Sequence, residues 1–487
     1  MSRIIEDFEN ICEEKKKSIA FIYHGKRGLV KKSFFDLYAD VARSVKELRI
    51  RKVKNGARIL VFTPPSYELA VFMLACMKLG ISVMYVDIWA GRKLVSDTLK
   101  KYKADHIAVS KKTSFLRLGS ASIRKIKDLI FIDKEYDNCP FDRSDKEYED
   151  IEEDQPALLT MTSGSTGQPK IALRTHADLY EQLELVNSNM GEEESQVVLT
   201  TAFIYSFANI LKGFCTVLGK VNLSLPFDFL LNKKLELFKD VPITTIMTSP
   251  DFCLRTKNYY PNLKTLYVGG AILNIHEAKI IKDKFNNADV EYIYGATECN
   301  LISKTRLEVY INDLQNKKIA CLGSKVVGVD IKSNDKYEIM VSSKAILKEY
   351  IEAERKNICI DEDGVFWHKT GDAGRYVSDK LYYLGRCDVY AVKNNKKVHT
   401  NPIEQSIAID FDMIKKCAFF YHKGKNRLYI ESKKPVDLTS IKGYLSEKGF
   451  DNVDIHLLNK IPCDKKHHTK IDYKRLRSMS YSRRRFL

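Results

Sequence analysis

The sequence predicts an α/β protein with a large N-terminal region, about residues 1–385, and a small α+β region, about residues 386–487. Three observations carry that expectation. The chain has 487 residues, too many for one ordinary core. Short β-branched or aromatic runs alternate with longer amphipathic stretches through its first part, the pattern of parallel strands joined by helices. Near Gly385-Arg386-Cys387-Asp388, a strand-like run over residues 381–384 ends at a glycine, and the remainder carries strand and helix signals of its own.

Taken in order, residues 57–63, 81–86, 107–110, 129–132 and 243–247 read as strands, and residues 66–78 and 94–101 as helices. The long apolar stretch over residues 69–86 is interrupted by Lys78 and Gly80. It suits a buried helix entering a strand better than a membrane span. Beyond the boundary, residues 428–432 read as a strand and residues 438–448 as a helix.

Composition narrows the class. Hydrophobic residues make up 44% and aromatics 10%, enough for large cores and far from a disordered chain. The 11 cysteines, from Cys12 to Cys463, form no CxxC pair. They exclude a disulfide framework and suit the reduced thiols of a cytoplasmic protein. The start, Met1-Ser2-Arg3-Ile4-Ile5-Glu6-Asp7, has no basic segment leading into an apolar one, so no secretory signal is expected. Lys and Arg exceed Asp and Glu by 80 − 63 = +17. Such a field attracts nucleotides, nucleic acid, anionic lipid or an acidic protein. The charges are spread along the chain, apart from the tail Arg483-Arg484-Arg485, and read as solvated surface, so no specific nucleic acid is expected.

The strongest local string is Thr162-Ser163-Gly164-Ser165-Thr166-Gly167-Gln168-Pro169-Lys170, directly after an apolar run over residues 157–161. Its glycines let backbone N–H groups approach an anion, its hydroxyls add donors, and Lys170 adds charge, which together suit a polyphosphate. It is not a Walker A loop, because no Gly-Lys-Ser/Thr stands at the required spacing.

This string resembles the phosphate-loop signature of the adenylate-forming superfamily: acyl-CoA synthetases, peptide-synthetase adenylation domains and luciferases. The other signatures follow in order. Leu266-Tyr267-Val268-Gly269-Gly270-Ala271 resembles the strand and turn beside the adenine. Tyr292-Ile293-Tyr294-Gly295-Ala296-Thr297-Glu298 is similar to the Tyr-Gly-x-Thr-Glu motif. There the resemblance implies that Tyr294 stacks on adenine, Thr297 touches the α-phosphate and Glu298 helps hold magnesium. Lys369-Thr370-Gly371-Asp372, by composition an ordinary turn, resembles the Thr-Gly-Asp whose aspartate binds the ribose hydroxyls. Gly385-Arg386-Cys387-Asp388 is similar to the Gly-Arg-x-Asp in which Arg386 contacts ribose and Asp388 is the hinge. Ile461-Pro462-Cys463-Asp464-Lys465-Lys466-His467-His468-Thr469-Lys470 resembles the catalytic-lysine segment, with Lys470 as that lysine and Thr469 where the family has glycine. His467 and His468 are adjacent and lack partners at ligand spacing, so no metal is expected there.

The resemblance runs from about residue 57 to Lys470. It implies an ATP- and magnesium-dependent ligase that makes an acyl-AMP and passes the acyl group to CoA or a carrier protein, with a small domain that rotates about a hinge. An acidic carrier suits so basic a chain. One departure bears on the acceptor. Where thiol-using members have a glycine-containing loop before Val-x-Pro-x-Glu, this chain has Val392-Lys393-Asn394-Asn395-Lys396-Lys397-Val398-His399-Thr400-Asn401-Pro402-Ile403-Glu404. The Ile461-Pro462-x-Asp464, His467 and Lys470-Ile471 pattern resembles the β-lactone synthetase branch of olefin biosynthesis, and Asp87-Ile88-Trp89-Ala90-Gly91-Arg92-Lys93 does so loosely. Ring closure from a β-hydroxy acid is therefore the alternative outcome. A non-catalytic nucleotide- or nucleic-acid-binding protein is the alternative of another class. Thr201-Ala202-Phe203-Ile204-Tyr205-Ser206-Phe207 lies where the family has an aromatic gate at the acyl site, and is equally suited to core.

Overall fold

A computed structural model describes residues 1–86, 102–114, 123, 126, 128–133, 149–162, 170–191, 196–219, 228–351, 357–432, 434–464 and 470–479. Residues 87–93, the expected helix over 94–101, the loop residues 163–169, His467, His468 and the basic tail lie outside the described residues, as does the side chain of Thr162.

Among the described residues, two large sheets form the N-terminal part. In the first, Asp289–Tyr294, Thr265–Gly269, Thr245–Thr248, Val197–Thr200, Cys215–Leu218 and Ile19–Gly25 lie parallel in that spatial order. Ser303–Arg306 with Ser324–Lys325, and Gly28–Ser33, extend its two edges antiparallel. In the second, Pro156–Thr162, Ser82–Tyr85, Arg58–Phe62, His106–Val109 and Asp128–Phe131 are parallel, with Lys170–Thr175 and then Glu349–Ile351 added antiparallel.

The strand sequences explain this arrangement. Ile59, Leu60 and Val61 are all fully buried, as a parallel strand covered on both faces requires. The helix Tyr67–Lys78 begins where Ser66 accepts a hydrogen bond from the Leu69 N–H at 3.2 Å. It is buried nearly all round, and its one inward charge, Lys78, pairs with Glu9 at 2.5 Å. The apolar stretch is thus a buried helix running into a strand, and among the described residues no helix is long and apolar enough to cross a membrane.

A third, antiparallel sheet orders Ala320–Cys321, Lys380–Arg386, Phe366–Val377, Glu338–Ser342 and Asp330–Ser333, with Ile358–Ile360 also on Phe366–Val377. It places one string and corrects one expectation. Thr370-Gly371-Asp372 lies inside a twelve-residue strand, bent at Gly371 with φ 72°. The strand at residues 381–384 does not stop at Gly385; it runs through it to Arg386 and so sets Arg386 directly opposite Asp372.

The small part holds the hairpin Tyr390–Lys393 and Lys396–His399, the helix Asn401–Asp410 and a sheet of Ile414–His422, Lys425–Ser432 and Asp454–Leu458, with helices Leu438–Glu447 and Tyr473–Met479. It packs its own cores, one around Ile407, Phe419, Ile430 and Leu445, another around Phe420, Tyr429, Ile461 and Leu476. Its seam with the large part includes polar contacts: Lys416 pairs with Glu277 at 3.1 Å, Lys318 with Asp410 at 2.8 Å, and Asn274 donates to the Lys415 carbonyl at 3.0 Å. The molecule is a mixed α/β protein with a large N-terminal domain and a small α+β C-terminal one.

Candidate functional site

The site forms where the neighbouring parallel strands Thr265–Gly269 and Asp289–Tyr294 end. Ligands of open parallel sheets bind outside these C-terminal strand ends. After the first strand, Gly270 turns with φ 97°, and no atom of the described residues beyond its chain neighbours lies within 4 Å of where a Cβ would be, leaving an open cradle. The Ala271 carbonyl is held by the Tyr292 hydroxyl at 2.7 Å. Asn274 and Glu277 then form a reciprocal cap that starts the helix Ile275–Lys284. After the second strand, the Ala296 N–H donates to the Cys299 carbonyl at 2.8 Å. That turn is tight enough to require Gly295, whose Cβ would sit 2.0 Å from the Asn300 oxygen.

Tyr294, Asp372 and Arg386 meet. The Tyr294 hydroxyl donates to Asp372 Oδ2 at 2.8 Å, and Arg386 Nη1 donates to Oδ1 at 3.0 Å. The Asp372 N–H donates to Thr370 Oγ1 at 3.1 Å, and that hydroxyl donates to the Ile339 carbonyl at 3.0 Å. The bend at Gly371 allows this, since a Cβ there would press on Arg386 Nη2 at 3.0 Å in a left-handed backbone. Burial, then the Asp372 carboxylate, push the Tyr294 hydroxyl well above its usual range. Burial alone would lower the Arg386 guanidinium, but Asp372, Tyr383 and Asp388 together raise it, so it stays charged. Asp388, the expected hinge, sits 3.6 Å from Arg386 Nε.

A second group surrounds Glu298. Arg174, itself bonded to Thr160 and Gln182, donates to the Thr297 carbonyl at 2.9 Å, and the Leu347 N–H donates to the Glu298 carbonyl at 2.8 Å. The turn is thereby fixed by residues that no local string reveals. The Glu298 carboxylate keeps 20% exposure and lies 4.0 Å from Nε2 of His368, whose side chain is 2% exposed. Burial lowers the His368 pKa, Glu298 opposes that and Lys170 adds to it, so both charges act on this imidazole. Lys170 opens the strand Lys170–Thr175, opposite Thr162. Among the described residues no three His, Cys, Asp or Glu side chains form a metal cluster. Glu298 fits a hard cation that takes most of its ligands from phosphate and water.

Lys470 belongs to a different frame. A bridge pairs Cys463 with Ile471, the Asp464 N–H donates to the Lys470 carbonyl at 2.8 Å, and the Lys470 N–H returns a bond to Asp464 Oδ1 at 3.1 Å. Its side chain is exposed. Just beyond, Tyr473 donates to Glu404 Oε1 at 3.1 Å, an oxygen that also accepts from the Phe419 N–H at 2.8 Å. Burial pushes Glu404 up to about 7. The structure thus gathers Tyr294, Asp372 and Arg386, brings Glu298 and Lys170 to bear on His368, and fixes Lys470 to the small domain. His368, Arg174 and Gln182 were not found by sequence reasoning. Phe207 is core, and Phe203, against it edge-on at 5.7 Å, is half-buried.

Known proteins share this architecture. The family model described as AMP-binding enzyme matches residues 8–351. A D-alanine–D-alanyl carrier protein ligase of Bacillus licheniformis is 22% identical over 427 residues, covering 83% of each chain. Klebsiella oxytoca NpsA in complex with 3-hydroxyanthranilyl-AMSN superposes with TM-score 0.81 at 15% identity, covering 99% of this chain and 100% of that one. The o-succinylbenzoate CoA synthetase of Bacillus subtilis in complex with ATP and magnesium superposes with TM-score 0.76 at 19% identity, covering 95% and 97%. At such identities these two structures establish likeness of fold.

Proposed function

This chain belongs to the AMP-binding enzyme family and is an AMP-forming acid ligase, and from that premise we propose how its residues divide the reaction and which acceptor completes it. It activates a carboxylic acid as an acyl-AMP, releases pyrophosphate, and passes the acyl group to a thiol. The observation that carries the residue assignment is the Asp372 carboxylate held jointly by Tyr294 and Arg386 beside the open turn at Gly270.

An oxygen of the acid attacks the α-phosphorus of ATP, the bond from that phosphorus to the bridging oxygen breaks, and pyrophosphate departs. Asp372 accepts hydrogen bonds from the ribose hydroxyls, and Arg386 contacts the ribose while holding the Asp372 carboxylate in place. Tyr294 faces the purine, with the backbone at Gly270, Ala271, Gly295 and Ala296 around it. Thr297 contacts the α-phosphate. Thr162, Ser163, Gly164, Ser165, Thr166, Gly167 and Lys170 hold the departing phosphates. Glu298 holds magnesium, which when bound neutralises phosphate charge. Lys470 bridges oxygens of the acid and the nucleotide, so catalysis rests on position and electrostatics.

For the second step we divide the chain at 385/386. The small domain turns about Asp388, withdraws Lys470 and admits the acceptor thiolate, which attacks the acyl carbon as AMP leaves. A carrier protein is the acceptor this reading favours. The support is the carrier-ligase name of the sequence relatives, the +17 charge, and the exposed Lys396 and Lys397 on the hairpin beside the boundary. The test is a pyrophosphate-release screen across acyl, aryl, amino and β-hydroxy acids, repeated with Lys470→Ala. The variant is expected to lose roughly 10²-fold in acid-dependent release while still binding ATP. A wild-type chain that releases no pyrophosphate with any of these acids overturns the reading, and an unimpaired Lys470→Ala removes that lysine from it.

A further inference from the structure

We propose that Arg174 is a positioning residue that joins the two large sheets across the nucleotide site. It sets the spacing between the groups that hold the α-phosphate and those that hold the departing phosphates. The inference rests on the roles proposed for Thr297, Glu298 and Lys170, and adds the side chain that keeps their two sides in register.

Those sides have separate origins. Thr297 and Glu298 follow the strand Asp289–Tyr294 of the first sheet, whereas Lys170 opens the strand Lys170–Thr175 of the second. Arg174 lies four residues after Lys170. Side chains alternate along a strand, so both project from the same face. Register sets Thr160 opposite Ala172, on that face too.

The Arg174 guanidinium is buried and spans the gap. Nη1 donates at 2.9 Å to Thr160 Oγ1, on the strand Pro156–Thr162 of the second sheet. Nη2 donates at 2.9 Å to the Thr297 carbonyl, and Nε donates at 2.7 Å to Gln182 Oε1, which fixes the plane of the fork. Gln182 Nε2 donates in turn to the Ala345 carbonyl at 3.1 Å. Two residues on, the Leu347 N–H donates to the Glu298 carbonyl at 2.8 Å, just before the second-sheet strand Glu349–Ile351. One network thus grips two successive carbonyls of the turn from the side of the second sheet. Burying a charged group is costly where an apolar side chain would fill the space. What the guanidinium adds is a rigid fork with donors fixed in one plane.

The consequence falls on the triphosphate. AMP meets only the groups of the first sheet, whereas ATP with magnesium must satisfy both sides at once. A loosened bridge therefore weakens the second and spares the first.

The test is calorimetric binding to the full chain of AMP and of α,β-methylene-ATP, whose α–β bond does not cleave, the latter with and without Mg2+. Arg174→Lys keeps the charge and lacks the fork. It is expected to bind the triphosphate with Mg2+ at least about tenfold more weakly than wild type, and AMP within about twofold. Thr160→Val removes one acceptor and leaves Arg174 in place; the same pattern is expected at about threefold. An equal loss for both nucleotides makes Arg174 structural only and overturns the proposal, as does unchanged triphosphate binding. If Arg174→Lys fails to fold and binds neither nucleotide, the Thr160→Val result decides on the same terms. A wild-type chain that binds neither nucleotide overturns the reading of the site and the proposal with it. Glu298→Gln separates the two ideas: full Mg2+ dependence in that variant removes Glu298 from the metal, and the Arg174→Lys result still decides the bridge.

Discussion

Asp372 is the residue on which most of the proposed nucleotide geometry turns, because it joins three chain segments through one carboxylate. Each of its oxygens is already spoken for once, by Tyr294 and by Arg386, and a carboxylate accepts about four hydrogen bonds. Two remain for the ribose. Asp372→Asn keeps the shape but removes a charge-assisted contact worth about 1.5–3 kcal/mol. The KM for ATP in pyrophosphate release is expected to rise about tenfold or more, with kcat changed far less. An unchanged KM takes Asp372 out of ribose binding. Glu298→Gln is expected to raise the magnesium concentration needed for half-maximal rate, and normal magnesium dependence makes Glu298 a turn residue only. The strings that carry Tyr294, Thr297, Glu298 and Asp372 are legible in sequence as a resemblance, and the roles proposed for these residues rest on it. His368 and Arg174 are not legible in that way. Their contacts follow from strand register and from a pairing 123 residues away, and neither is written in the neighbouring letters.

At the scale of elements, the strands and helices expected among the described residues were legible to within three residues, because burial on both faces leaves long apolar runs. The misreading fell at a glycine. Gly385 looks like a stop, yet the strand runs through it, as the neighbouring strand does through Gly371. The reverse holds in the hairpin after the boundary. It lacks glycine, but Asn394 and Asn395 take φ 49° and 59°, the paired left-handed geometry of a tight two-residue turn, which asparagine tolerates. The helix Asn401–Asp410 that follows carries Glu404 inward, where one carboxyl ties it to the strand Ile414–His422 and to Tyr473 next to the lysine segment. This element has a pH signature. Burial raises Glu404 to about 7 in the fold against an ordinary 4.5, so between those values the folded chain binds the extra proton. Stability contributed by Glu404 is therefore full below about pH 4.5 and falls as pH rises toward 7, by a few kcal/mol in order of magnitude. Relative to Glu404→Gln, which is neutral throughout, the wild-type urea midpoint is expected to drop between about pH 5 and pH 8. Parallel pH profiles for the two proteins refute a buried, proton-holding Glu404.

On the scale of the whole molecule, the alternation of strands and helices announced a layered α/β body. The order of strands in its two large sheets was not announced, since neighbours such as Ile19–Gly25 and Cys215–Leu218 come from distant parts of the chain. Among the described residues, the strings that hold Ala271, Tyr294, Asp372 and Arg386 come together across that scrambled order, whereas Lys470 stays with the small domain. That separation gives the acceptor question its form. The small domain meets the large one through polar contacts such as Lys416–Glu277 and Asn274–Lys415, which water can replace at little cost when the seam parts. What it then presents is a hairpin tip of Asn394 and Asn395 flanked by Lys393, Lys396 and Lys397. The asparagine side chains occupy space that glycines would leave open along the backbone, which disfavours the slender arm of free CoA. The lysines suit an acidic protein that delivers its thiol on a prosthetic arm. Free CoA is therefore expected to be a poor acceptor. With a β-hydroxy acid, ATP and magnesium but no thiol, the acyl-AMP is expected to stall until a carrier protein is added. Mass analysis decides: acyl-carrier forming at low salt and fading as salt screens the lysines supports this account. A product one water lighter than the acid marks ring closure instead, and efficient acyl-CoA formation shows that Asn394 and Asn395 leave the thiol path open.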